Sequence, residues 1–145
     1  MKKSNSLLSV LIIILAVVLS SCSSTTSKEK THIEEVEIPV EYVGKTNPLA
    51  NNPDAIVSGK SVYESNCLVC HGKTGAGDGP AGASLDPKPG DLGEVAENDN
   101  ADEIFWRVSD GGMYAPFNSS MPAWKGVLSE DKRWQVVSYI KTLNR

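Results

Sequence analysis

The side chains best placed to do chemistry are those of Cys67, Cys70 and His71, in the run Cys67-Leu68-Val69-Cys70-His71. Two thiols separated by two residues suit a redox-active dithiol, half of a zinc site, or the pair of thioether bonds that joins a haem's vinyl groups to a protein. In the last case the adjacent histidine is placed to ligate the iron. A thioredoxin-like dithiol follows a strand in a βαβ pattern, which this sequence lacks. A four-ligand zinc site needs partners that Cys22 and His32 are poorly placed to supply. Covalent haem c, one group with one iron, uses all three side chains. Cys67 and Cys70 are therefore read as attachment points and His71 as an iron ligand.

Three cysteines is an odd number, and the third has its own setting. Lys2 and Lys3 precede an apolar run over residues 7–19, broken only by Ser9. At about 13 residues the run is shorter than the roughly 20 that a membrane-spanning helix needs, and it has the form of an export signal. It ends in Leu19-Ser20-Ser21-Cys22, which resembles the lipobox of bacterial lipoproteins. The resemblance implies cleavage before Cys22 and lipidation on it; an ordinary cleaved signal with an incidental cysteine is the alternative. Two or more acyl chains hold a protein stably to a bilayer. Residues 1–21 are thus expected to be a signal peptide, and the mature chain to be exported, anchored to a bacterial membrane and facing the periplasm or the cell exterior.

Residues 1–21 hold two of the 14 basic side chains and none of the 18 acidic ones, so the exported chain is more acidic than the net −4 of the whole sequence. That balance disfavours nucleic acid as a partner. Lys125, Lys132, Arg133, Lys141 and Arg145 could form a local docking surface, although a solvated helix face explains them as well. The segment 75–79, Gly-Ala-Gly-Asp-Gly, has neither a preceding strand nor a following Gly-Lys-Ser/Thr, and reads as loop, not as a nucleotide cradle.

These residues must be positioned by something, and 145 residues leave room for one compact domain with extensions. Residues 22–53 read as a flexible tether, polar at first and then alternating Val36, Ile38, Val40 and Tyr42 with Glu37, Pro39 and Glu41. The alternating stretch could instead lie against the domain as an extended arm. His32 falls in this tether and reads as solvated. A domain over residues 54–145 then opens with a helix capped by Asp54 and carrying Ile56, Gly59, Val62 and Tyr63. Residues 72–93, dense in glycine and proline, read as loop. A second helix is predicted after Asn100, with Glu103 at the third position, Ile104, Phe105, Trp106 and Val108 as its apolar group, and Gly111-Gly112 as its stop. The last is predicted after Ser129, with Glu130 and Asp131 in its first turn and Trp134, Val136, Val137, Ile140 and Leu143 as its apolar face.

Over about residues 54–145 the sequence resembles the small class I c-type cytochromes. The resemblance rests on Gly59 and Tyr63, the Cys67 to His71 motif, the Gly77-Asp78-Gly79-Pro80 loop, Met121-Pro122, and Val136, Tyr139 and Ile140. It implies an all-α cytochrome c domain of three to five short helices wrapped around one covalent haem, with long loops. It also implies a close crossing of the first and last helices, with Gly59 allowing the approach and Tyr63 packing on Val136 or Tyr139.

The family's second iron ligand is a downstream methionine. Met121 matches it, with Met113 the competitor. A proline carbonyl is implied to orient His71 through its other nitrogen, Pro80 first and Pro87 or Pro89 as alternatives. Trp106 and Trp124 are expected to wall off the haem. An iron held by both His71 and Met121 has no site left for a small-molecule substrate, so the expected role is one-electron transfer at moderately positive potential between protein redox partners, and not enzyme catalysis. The chain could shuttle freely or sit in a larger membrane oxidoreductase; a gas-binding or peroxide-reducing haem protein would require an open sixth position.

Overall fold

Asn52 and Pro53 begin the first helix. In the computed structural model, which describes residues 37–143, the Asn52 side chain accepts hydrogen bonds from the backbone N–H groups of Asp54 and Ala55. Pro53 takes the first helical position, where its missing N–H costs nothing. The helix, α1 (Pro53–Asn66), thus starts one residue before Asp54, which stands in its first turn instead of capping it. It runs into the four-residue α2 (Leu68–His71). A single 3-10 turn at Gly82–Ser84 follows, then α3 (Leu92–Asn98), α4 (Ala101–Asp110) and α5 (Glu130–Ile140). No strand occurs among the described residues, so the fold is all-α.

α4 and α5 fall where their caps and apolar spacing place them. Asn100 precedes α4 and Gly111, at φ +74°, ends it. The Ser129 side chain accepts from the Lys132 N–H to open α5. The core is built from their inward faces. Phe105 stacks on Trp134 with ring centroids 3.8 Å apart, and Val136 and Val137 are fully buried. α3 was not expected: it begins at the end of the segment read as loop and runs past it, capped by Asp91, which accepts from the Gly93 N–H, with Leu92 and Ala96 turned inward.

α1 crosses α5 at Gly59. A Cβ at that position would stand 1.9 Å from the carbonyl oxygen of Gln135, so only glycine allows the backbones this close. One turn on, Tyr63 packs on Tyr139 and donates its hydroxyl hydrogen to the Gly72 carbonyl at 2.7 Å.

The segment preceding α1 is part of this structure and not a free linker. Tyr42 is buried against Phe105 and donates to Asp110 Oδ1 at 2.9 Å. The Asn47 side chain bonds the Trp134 carbonyl and Ser138 Oγ, and the Gly44 N–H donates to Asp102. Residues upstream of 54 therefore pack on the domain, as the arm alternative has it, but they do so in successive turns and not as an extended segment. The signal peptide, Cys22, His32 and the first part of the tether lie outside the described residues. Among those described, no helix is long and apolar enough to cross a membrane.

Candidate functional site

The geometry of the Cys67–His71 segment follows from where its backbone bonds go. α2 makes one helical turn, with the His71 N–H donating to the Cys67 carbonyl at 2.9 Å. The glycine-rich segment behind it folds back to use the outward carbonyls: Gly77 N–H bonds His71, Gly79 N–H bonds Cys70 and Ala81 N–H bonds Val69. Leu92 N–H closes the segment on the Gly75 carbonyl at 2.8 Å. The loop thus satisfies polar groups that burial would otherwise leave costly.

A cavity of about 260 Å³ opens beside this turn. Cys67, Cys70 and His71 line it, and so do Met121, Pro122 and Trp124 from the segment between α4 and α5. Ile104, Val108, Val136 and Ile140 supply apolar surface. Met121 is held by its own backbone, its carbonyl accepting from the Gly112 N–H at 3.0 Å. Gly111 makes that closure possible, since a Cβ there would stand 2.6 Å from the Met121 oxygen. Met113, by contrast, is 74% exposed and contributes nothing to the lining.

The electrostatics suit a thiol-linked, imidazole-ligated group. Both thiols are free, and burial, with a smaller contribution from neighbouring Cys70, pushes Cys67 up to about 11. Burial lowers the pKa of His71, with the Gly90 backbone opposing it more weakly. The ring is thereby kept neutral, the form that binds metal. His71 Nδ1 is buried without a hydrogen-bond partner; Gly90 acts on the ring from nearby but does not satisfy that nitrogen. Among the described residues no three His, Cys, Asp or Glu side chains gather in a way that could hold a metal ion. Two free thiols, a neutral buried imidazole and an apolar cavity beside them fit haem c.

Several expected neighbours sit elsewhere. Pro80 is exposed and outside the cavity lining; Pro87 and Pro89 line it, and the backbone group acting on His71 is that of the next residue, Gly90. Trp106 is buried in the core among Tyr114 and Phe117 and does not reach the lining. Three of the basic residues of the C-terminal region have separate partners. Lys125 pairs with Asp110 at 2.7 Å. Arg133 lies over the Phe105 ring and bonds Ser109, and Lys141 donates to the Asp99 carbonyl; Arg145 lies outside the described residues.

Several lining residues went unread in the sequence, a cation among them. Arg107 enters the cavity wall from α4, its guanidinium 3.2 Å from the Phe117 ring centroid and bonded to the Gly111 carbonyl at 3.0 Å. Its signal was a lone cation set between Trp106 and Val108 in an otherwise apolar stripe.

Known proteins agree with this reading. No curated protein matches the chain. Among solved structures, a chain of the Kuenenia stuttgartiensis reducing HAO-like protein complex Kustc0457/Kustc0458 is similar, with a TM-score of 0.56 and 27% sequence identity. The match covers 76% of this chain and 50% of that one, so the present chain corresponds to about half of its relative. The family model for cytochrome c oxidase, cbb3-type, subunit III matches residues 54–140, from the first turn of α1 to the last residue of α5. With the attachment motif, its cavity and the all-α frame all inside that span, the chain belongs to the cbb3-type cytochrome c oxidase subunit III family and is a c-type cytochrome.

Proposed function

We propose that this chain is a one-electron carrier with a single haem, attached through Cys67 and Cys70 and ligated by His71 and Met121. It works outside the cytoplasm on a lipid anchor at Cys22, with proteins as its redox partners. The observation that carries this reading is that all four side chains line one cavity. The haem supplies the exchangeable electron; the chain holds it, orients it and keeps water from it. With both axial positions taken by protein, no site is left for a substrate, and thioether sulfur together with an apolar wall favours a moderately positive potential.

A second reading, a subunit docked in a larger oxidoreductase, draws on two observations. The family is described as an oxidase subunit, and the similar structure is a chain of a protein complex. A lipid anchor suits either arrangement, so co-purification in mild detergent separates them.

The deciding measurement is the absorption spectrum of the matured protein, oxidised and reduced. Sharp reduced c-type bands with a weak near-infrared band in the ferric state are expected, the latter from methionine sulfur on iron. Haem without the sulfur band would favour ligand-binding or peroxide chemistry, and absence of haem would end the electron-carrier reading.

A further inference from the structure

The arm over residues 38–52 lies outside the span that the family model matches, yet it packs on the domain at a particular place. Tyr42 is only 7% exposed, and its hydroxyl donates to Asp110 Oδ1 at 2.9 Å. The Lys125 ammonium donates to the same oxygen at 2.7 Å. Asp110 is the last residue of α4, and Lys125 follows Trp124 directly. Between these two points hangs the segment that carries Met121.

The base of that segment is stitched twice. Backbone bonds run from the Trp124 N–H to the Val108 carbonyl at 3.2 Å and from the Lys125 N–H to the Ser109 carbonyl at 3.0 Å. Above them the Asp110 carboxylate bridges one foot to the other through Lys125. The Asp110 side chain is mostly covered, at 18% exposure, so its bond from the buried Tyr42 hydroxyl is charge-assisted in a partly desolvated setting, whereas the Lys125 ammonium reaches the same oxygen from an exposed position. Among the described residues, Tyr42 is the partner of this carboxylate that comes from outside the α4–α5 segment.

From this geometry we infer that Tyr42 is a positioning residue for Met121: through Asp110 it holds the two feet of the methionine-bearing loop together and keeps the sulfur on the iron. The inference rests on the proposal that Met121 ligates the iron. A bond from thioether to ferric iron opens when its loop opens, and an external ligand such as cyanide enters only then, so the cyanide-binding rate reports how firmly the loop is closed. A further anchor of the arm, Asn47 on Trp134 and Ser138 of α5, has its bonds away from the loop, which makes it the natural control.

The test uses the full haem-loaded chain and compares wild type with Tyr42→Phe, Lys125→Gln, Asn47→Ala and Met121→Ala. The readouts are the near-infrared sulfur band, the rate of cyanide binding to the ferric protein at neutral pH, and the denaturant midpoint. Tyr42→Phe is expected to keep the band and bind cyanide about tenfold faster, the factor that a hydrogen bond to a charged group carries. Lys125→Gln changes an exposed side chain and is expected to act in the same direction, with the double variant falling short of the product of the two because both act on one carboxylate. Asn47→Ala is expected to lower the midpoint and leave the cyanide rate at the wild-type value. A wild-type rate in both Tyr42→Phe and Lys125→Gln would overturn the inference, and so would an equal acceleration in Asn47→Ala, which would mark general loosening. If Met121→Ala neither removes the band nor speeds cyanide binding, the ligation reading itself fails and takes this inference with it.

Discussion

Tyr63 and Tyr139 meet with ring centroids 5.2 Å apart and planes tilted by 55°, at the crossing where Gly59 lies against the backbone of Gln135. This contact fixes α1 against α5, and α1 leads directly into the turn that carries Cys67, Cys70 and His71. The placement of the attachment motif thus depends on a packing contact made more than a full helical turn before it.

Gly59→Ala tests that dependence. The added methyl improves helix propensity by about 1 kcal/mol, but the Gln135 carbonyl would have to move to admit it. Overpacking of this kind costs about 1–3 kcal/mol, and here the obstacle is backbone. A net loss of about 2 kcal/mol is expected in denaturant unfolding; a variant as stable as wild type would show that the crossing is looser than its geometry.

Attachment can be tested apart from ligation. Haem should stay with the wild-type polypeptide through extraction in acidified organic solvent, because thioether bonds survive it. The double variant Cys67→Ser, Cys70→Ser should release the haem completely, and haem retained after both substitutions would exclude these thiols as the attachment points.

Tyr63 makes stability depend on alkali. Burial raises its pKa well above the ordinary 10.0, with Cys67 and Tyr139 adding smaller contributions in the same direction. The unfolded chain releases this proton near 10.0 and the folded chain only well above it. Stability is therefore fully present below pH 10.0 and declines as pH rises past that value. Tyr63→Phe should cost about 1 kcal/mol at neutral pH through the lost bond to Gly72. It should also flatten the alkaline decline, which denaturant midpoints taken on either side of pH 10.0 would reveal.

Arg107 places a fixed cation in the cavity wall. A nearby positive charge favours the iron state carrying one charge fewer, so Arg107→Gln should lower the reduction potential, and Arg107→Lys should retain most of the wild-type value. Voltammetry of the two variants checks this; equal potentials in Arg107→Gln and wild type would mean that the guanidinium is fully screened from the haem.

The candidate attachment site could be picked out in the sequence because it is local: the spacing of Cys67, Cys70 and His71 is itself the signal. α4 and α5 were legible for a similar reason, since their apolar residues repeat at helical intervals and Gly111 and Ser129 mark their ends. What escaped reading depends on partners distant in the chain. Asn52-Pro53 carries the same letters whether it closes a linker or opens a helix, and the packing of α1 on α5 decides between them. α3 is seven residues long with Gly93 inside it, too short for a period to show, and it is formed around Leu92 and Ala96, which bury themselves. Tyr42 could be seen to alternate with polar neighbours, but Asp110, 68 residues away, is what holds it. The candidate second ligand, Met121, was named by family resemblance, since one methionine looks like another until a cavity separates Met121 from Met113.

In the loop behind the attachment turn, Ala81 makes the last backbone bond to the turn, on Val69, and Leu92 closes the loop on Gly75. The stretch between those two residues supplies Leu85, Pro87, Lys88 and Pro89 to the cavity. The stretch is fastened to the turn at its glycines: a Cβ at Gly82 would stand 2.2 Å from the Cys70 carbonyl oxygen, and the Gly90 backbone acts on the His71 ring. Side-chain changes at Leu85, Pro87 and Lys88, between those two points, can alter the polarity and reach of the cavity rim while the glycines keep the turn behind it in place.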